Sequence, residues 1–154
     1  MKNMIKTCAY MGLSLKRMPF GENEENTHCV QLKKRLKNEF KRQIEEEGVC
    51  HFIGGMAPGT EMFCAEILLE LREKYPFITL SAVIPYETQA KCWKEVHRDR
   101  YFRIAQYSDR EVMLMKHYRA GCLAYYKNYL LNAADICILV GMQMQDPKCV
   151  EVPV

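Results

Sequence analysis

Gly54, Gly55, Ala57, Gly59 and Thr60 are the residues of this chain whose types and spacing most clearly suggest chemistry. They form a glycine-rich turn that follows a short apolar run, Val49 to Ile53, and opens an apolar segment of helical period. Glycine lets the backbone adopt positive φ and lets a guest approach the main chain closely. A strand–turn–helix of this kind presents backbone N–H groups and a helix N-terminus to an anion. Thr60 adds a hydroxyl beside them. The chemistry expected is the holding of a phosphorylated small molecule, with a tight turn and no guest as the alternative. The turn is not a P-loop, because no Gly-Lys-Ser/Thr follows, and it lacks the Gly-x-Gly-x-x-Gly spacing of a nicotinamide dinucleotide site.

Other residues gather around it. Glu66 falls near the second turn of the helix that the glycines open, where a carboxylate can accept a hydrogen bond from a ribose hydroxyl or act as a general base. Glu61, at the start of the same helix, reads as a carboxylate stabilised by the helix dipole. Tyr86 and Gln89 follow a buried apolar run and Pro85, where a ring stacking on a base with an amide on its edge and a solvent-facing loop are equally good accounts. Asn128 and Lys127 sit on a later helix, where contact with a phosphate and a solvated helix face are equally good accounts. Gly12 follows the first strand. The eight cysteines show no Cys-x-x-Cys spacing and no histidine at zinc-ligand distance, so reduced thiols and no metal are expected. No cofactor is indicated.

The elements that must position these residues follow from periodicity. Met4 to Tyr10, Val49 to Ile53, Ile78 to Ile84, Glu111 to Met115 and Ile136 to Val140 read as strands. Helices are expected from about His28 to Glu47 with Thr27 as cap, from Glu61 to Tyr75, from Thr88 to Tyr107 with a break near Val96 to Asp99, and from Cys122 to Ala133. Strands alternating with helices predict one α/β domain over residues 1–154, with a mostly parallel five-stranded sheet in the order 3-2-1-4-5 and helices on both faces. Ligands of such sheets bind beyond the carboxyl ends of the strands, where the strand order reverses. That point is expected between strands 1 and 4. Gly12, the 54–60 turn, the 85–89 turn and the 117–121 loop all belong to that edge. Residues 141–154 read as irregular chain or an edge strand.

Composition narrows the classes. The chain has 154 residues, 49% of them hydrophobic, and a net charge of +3. That charge is too small to argue for nucleic acid. The basic run from Lys33 to Arg42 is interleaved with Glu39 and followed by Glu45, Glu46 and Glu47, which makes a mixed-charge solvated face. No apolar run reaches the roughly 18 residues of a membrane span, and the N-terminus has no secretory character. A cytoplasmic protein without a membrane partner is expected.

The order of segments resembles the YpsA-like branch of the SLOG superfamily, which also holds the DprA proteins and the "lonely guy" phosphoribohydrolases. The resemblance runs from about Ile5 to Val140. It rests on His51 to Ala57 with Gly59, Ala65 and Glu66, on Leu71 to Pro76, on Ile84 to Glu87 with Gln89 and Trp93, on Arg100-Tyr101, on Gly121-Cys122, on Lys127 to Tyr129, and on Asp135. It implies a Rossmann-like three-layer sandwich with a site for a nucleotide or nucleotide-derived signal, formed by Gly12, Gly54, Gly55, Ala57, Gly59, Thr60, Glu66, Tyr86, Gln89 and Asn128. Glu66 is the residue the resemblance favours for catalysis, by analogy with branches that hydrolyse nucleoside monophosphates. Binding of single-stranded DNA is the less favoured alternative, and an interaction module that holds no ligand is a further one. Where the family carries Gly-His-Arg-Pro, this chain has Gly12-Leu13-Ser14-Leu15. The family's glycine-rich last turn and closing helix are replaced by Gly141 to Val154, so self-association over the uncovered apolar surface, or a tail strand, is expected.

Overall fold

The structure, a computed structural model, describes residues 5–154. The expected start of the first strand at Met4 lies outside the described residues. β1 is Lys6–Gly12, α1 Thr27–Glu45, β2 Val49–Gly54, α2 Thr60–Lys74, β3 Thr79–Ile84, α3 Glu95–Tyr107, β4 Arg110–Met113, α4 Cys122–Ala133, β5 Ile136–Val140 and β6 Cys149–Val152. A short 3-10 turn, Leu15–Arg17, follows β1.

The six strands form one sheet in the order β4-β3-β2-β1-β5-β6, and every adjacent pair is parallel. This corrects the expected five strands and their order. β4 does not lie between β1 and β5. It extends the sheet beyond β3, because α3 packs beside α2 on the face already covered by α1 and α2, so the chain keeps moving in one direction. Asp109 pins the arrangement: its carboxylate accepts the Leu80 N–H at 2.8 Å and Arg72 at 2.8 Å. The order reverses only at α4, which crosses on the opposite face. The switch point is therefore between β1 and β5.

Burial on both faces explains why the central strands read as unbroken apolar runs. Cys8 and Tyr10 of β1 face α1 and α2, whereas Ala9 and Met11 face α4. In the first layer Phe40 packs edge-on against Tyr10 at 6.4 Å and Phe52 at 5.6 Å. The α1 stripe Leu32, Leu36, Phe40 and Ile44 is buried as its four-residue spacing demands. Its cap is Asn26, whose side chain accepts the His28 N–H at 2.9 Å; Thr27 is already helical. Residues 86–93 form turns, so α3 begins at Glu95 rather than Thr88. No helix among the described residues is long and apolar enough to cross a membrane.

Candidate functional site

The glycine turn lies at the carboxyl end of β2 and opens α2 as its spacing predicts. Its surroundings are tighter than the sequence implies. The segment after β1 lies across it: Ser14 and Gly59 form an antiparallel bridge, the Leu15 N–H donates to Pro58 at 3.2 Å, and the Thr60 N–H donates to Leu13 at 3.2 Å. Gly59 has φ +104°, and a Cβ there would stand 2.6 Å from the Leu15 nitrogen. Gly12 is equally confined, with the Val140 carbonyl 2.5 Å and Thr60 Oγ1 2.8 Å from where a Cβ would be. Gly54 accommodates the Tyr10 ring, whose hydroxyl donates to the Gly55 carbonyl at 3.0 Å. Thr60 is buried, and its hydroxyl has no partner among the described residues.

The turn also holds a carboxylate of its own. Glu61 folds back so that Oε1 accepts the Ala57 N–H at 2.8 Å, while Oε2 accepts the Tyr126 hydroxyl of α4 at 2.9 Å. A Cβ on Gly55 would stand 2.2 Å from Glu61 Oε1 and 2.4 Å from the Tyr126 hydroxyl, so only glycine leaves room for this pair. Among the described residues Glu61 makes no salt bridge. Burial pushes its carboxyl pKa up, against the Ala57 N–H, the Tyr126 hydroxyl and the more distant charge of Lys127. Burial and the negative Glu61 in turn hold the Tyr126 hydroxyl well above the usual phenol range.

Glu66 sits elsewhere. It is bound by Arg100 of α3, at 2.9 Å from Nε and 2.5 Å from Nη2. The same guanidinium makes a second two-bond contact with Glu24, at 2.6 and 2.8 Å, and Lys33 approaches Glu24 at 2.7 Å. Arg100 and Lys33 both lie over the Phe63 ring. Glu66 therefore shares no partner with Glu61, although the two are five residues apart on one helix.

Tyr86 and Gln89 do lie at the carboxyl edge, after β3. Tyr86 meets Tyr118 edge-on at 5.3 Å, and burial, then the charge interaction with Cys122 at the start of α4, raises its hydroxyl pKa. Gln89 carries a buried Oε1 without a partner among the described residues. Cys122 and Tyr126 are one helical turn apart and both buried, so they share the inward face of α4. Asn128 is not brought there. Two residues beyond Tyr126, it points away from the turn and lines an outer depression of about 310 Å³ with Tyr125, Tyr129 and Asn132. Among the described residues no cluster of three His, Cys, Asp or Glu side chains is placed to hold a metal.

The pairing of Glu61 with Tyr126 is the feature of this edge that sequence reasoning does not reach. Glu61 resembled ordinary helix-dipole stabilisation, and nothing local connects it to a tyrosine 65 positions away. The available signal was Gly55: a second consecutive glycine, needed for neither a strand nor a cap, marks a close approach by something.

The sequence model of the YspA SLOG family matches residues 15–148. A UPF0398 protein of Brevibacillus brevis is 35% identical over 120 residues, which cover 77% of this chain and 63% of that protein. A UPF0398 protein of Lactobacillus helveticus is 30% identical over 123 residues, covering 79% and 64% respectively. The UPF0398 protein YpsA of Bacillus subtilis is 30% identical over 83 residues, covering 54% and 46%. The chain thus matches less than two thirds of the length of these relatives. Matching the family model over most of its length, with the strand–turn–helix in place, this chain belongs to the YspA SLOG family.

Proposed function

We propose that the chain binds a nucleotide-derived small ligand at the carboxyl edge of β1, β2 and β3, with Glu61 as the central hydrogen-bond acceptor. The placement of Glu61 carries this reading. A partly buried carboxylate held by one N–H and one tyrosine hydroxyl, with no ion pair, is costly to the fold. Such groups concentrate where a ligand is met. Ribose hydroxyls and base amino groups are donors that suit it, and membership in a SLOG family favours the same class of guest. Tyr86 would stack on the base, and the unpartnered Gln89 Oε1 would accept from it. Gly12, Gly54, Gly55, Gly59 and Thr60 pack against the chain itself and support this edge from behind rather than meeting the guest. The Ala57 amide reaches a guest phosphate only where Glu61 turns away from it. Glu66 has no catalytic role in this reading, because Arg100 already engages its carboxylate.

The test is a thermal-shift screen of nucleosides and of nucleoside mono- and diphosphates against wild type and Glu61→Gln. A ligand at about 100 times its Kd stabilises by about 2.7 kcal/mol, a rise of several degrees in Tm. The expected result is such a shift in wild type for one compound class, cut by more than half in Glu61→Gln. A panel without shifts, or equal shifts in both proteins, refutes the proposal.

A further inference from the structure

Two of the cysteines face each other at the edge of the sheet. Cys137 of β5 and Cys149 of β6 are direct register partners in a parallel pair. Paired positions send their side chains to the same face, and both residues pack in the layer beneath α4. Neighbouring strands lie about 4.8 Å apart, inside the Cα separation of roughly 4.4–6.8 Å that a disulfide bridges. Both thiols are free. Cys137 is fully buried, while Cys149 is partly exposed, so Cys149 is the more accessible member of the pair. Cys8, Cys29, Cys64 and Cys122 are sealed in the interior.

We propose that Cys137 and Cys149 form a reversible oxidation site, which a small disulfide such as oxidised glutathione closes into a bond that staples β6 to β5. The Cys149 thiolate attacks one sulfur of the oxidant. The oxidant's S–S bond breaks, and its first half leaves as a thiolate that takes up a proton. Cys137 then loses its proton to solvent and attacks Cys149 Sγ, expelling the second half in the same way. The two cysteine sulfurs lose two electrons, and the oxidant gains them and departs as two thiols. Burial, then the neighbouring Cys149, pushes the Cys137 thiol up to about 12. Burial and Asp146 raise Cys149 as well, so closure is slow at neutral pH and speeds up as pH rises.

The bond fixes an edge strand that is otherwise held by its ladder to β5, by the Gly141 N–H donating to Val152 at 3.0 Å, and by Arg35 donating to the Pro153 carbonyl at 2.9 Å. To test this, the whole chain is incubated with oxidised glutathione at about pH 8. The remaining thiols are alkylated, and the protein is digested without reductant for mass spectrometry. The expected product is one peptide pair joined through Cys137 and Cys149, about 2 Da lighter than the two reduced peptides together. A Tm raised by several degrees and restored by reductant should accompany it. Cys149→Ser, a small change at a partly exposed position, should show neither effect. A stable glutathione adduct on Cys149 with Cys137 still free, a link through any other cysteine, or the same Tm change in Cys149→Ser overturns the proposal.

Discussion

A guanidinium between two carboxylates fixes the partners of Glu66. Burial acts to lower the Arg100 pKa, but its hydrogen bonds with Glu24 and Glu66 raise it above the ordinary arginine value. Glu24 is held at about 2, chiefly by Arg100, against the opposing effect of burial and with help from Lys33. A carboxyl whose pKa is depressed by folding stabilises the native state above its unfolded pKa and loses that contribution as pH falls through the folded value. Glu24→Gln should therefore lower stability by about 1–2 kcal/mol at pH 7, a figure reduced for partial exposure. The deficit should shrink between about pH 4.5 and about pH 2. Urea unfolding of both proteins across that range checks it, and a deficit that does not change with pH would mean the ion pair contributes nothing.

At the scale of elements, the clamp between the segment after β1 and the glycine turn is the feature most exposed to a single change. Gly59 combines φ +104° with backbone atoms of residues 13–15 at 2.6–3.0 Å, whereas Gly48 has φ +72° with nothing within 4 Å of a new Cβ. Gly48→Ala should cost about 1 kcal/mol, the conformational penalty alone. Gly59→Ala should cost more than about 2 kcal/mol, because strain and collision add. Denaturant midpoints of the two variants measure the difference. Equal losses would show that residues 13–15 move aside freely and that the turn is open to a guest. The same packing explains why a glycine-rich turn can be legible in the sequence while its state is not. Spacing marks Gly54 to Thr60 as a strand-to-helix turn, but whether a guest or the chain itself fills it depends on Leu13, Ser14, Leu15 and Tyr126, none of which is local to it.

For the whole molecule, position in the sheet sets the order of local opening. β1 and β2 are flanked by strands on both sides and covered on both faces, while β4 is an edge strand of four residues, none of them fully buried. Native-state hydrogen exchange should find β1, β2 and the inner side of β5 the most protected. β4 should exchange orders of magnitude faster, since edge ladders open without global unfolding. Comparable protection in β4 and β1 would contradict this topology.

What the sequence determined by itself was local. Alternation of apolar runs with amphipathic segments set the α/β class, the helices α1, α2 and α4, and the strands up to β5, within a few residues at each end, and offered a tail edge strand, seen as β6, as one of two readings of residues 141–154. These depend on period and capping, which are properties of neighbours along the chain. The tertiary structure alone decided where β4 goes, because that depends on which face α3 packs against. It also gave Glu66 to Arg100 and Glu61 to Tyr126, since a carboxylate's partners are fixed by burial and distance across the fold rather than by its place on a helix. The facing of Cys137 and Cys149 is of the same kind. Their spacing along the chain marks nothing, and only the parallel register of two neighbouring strands sets the sulfurs side by side.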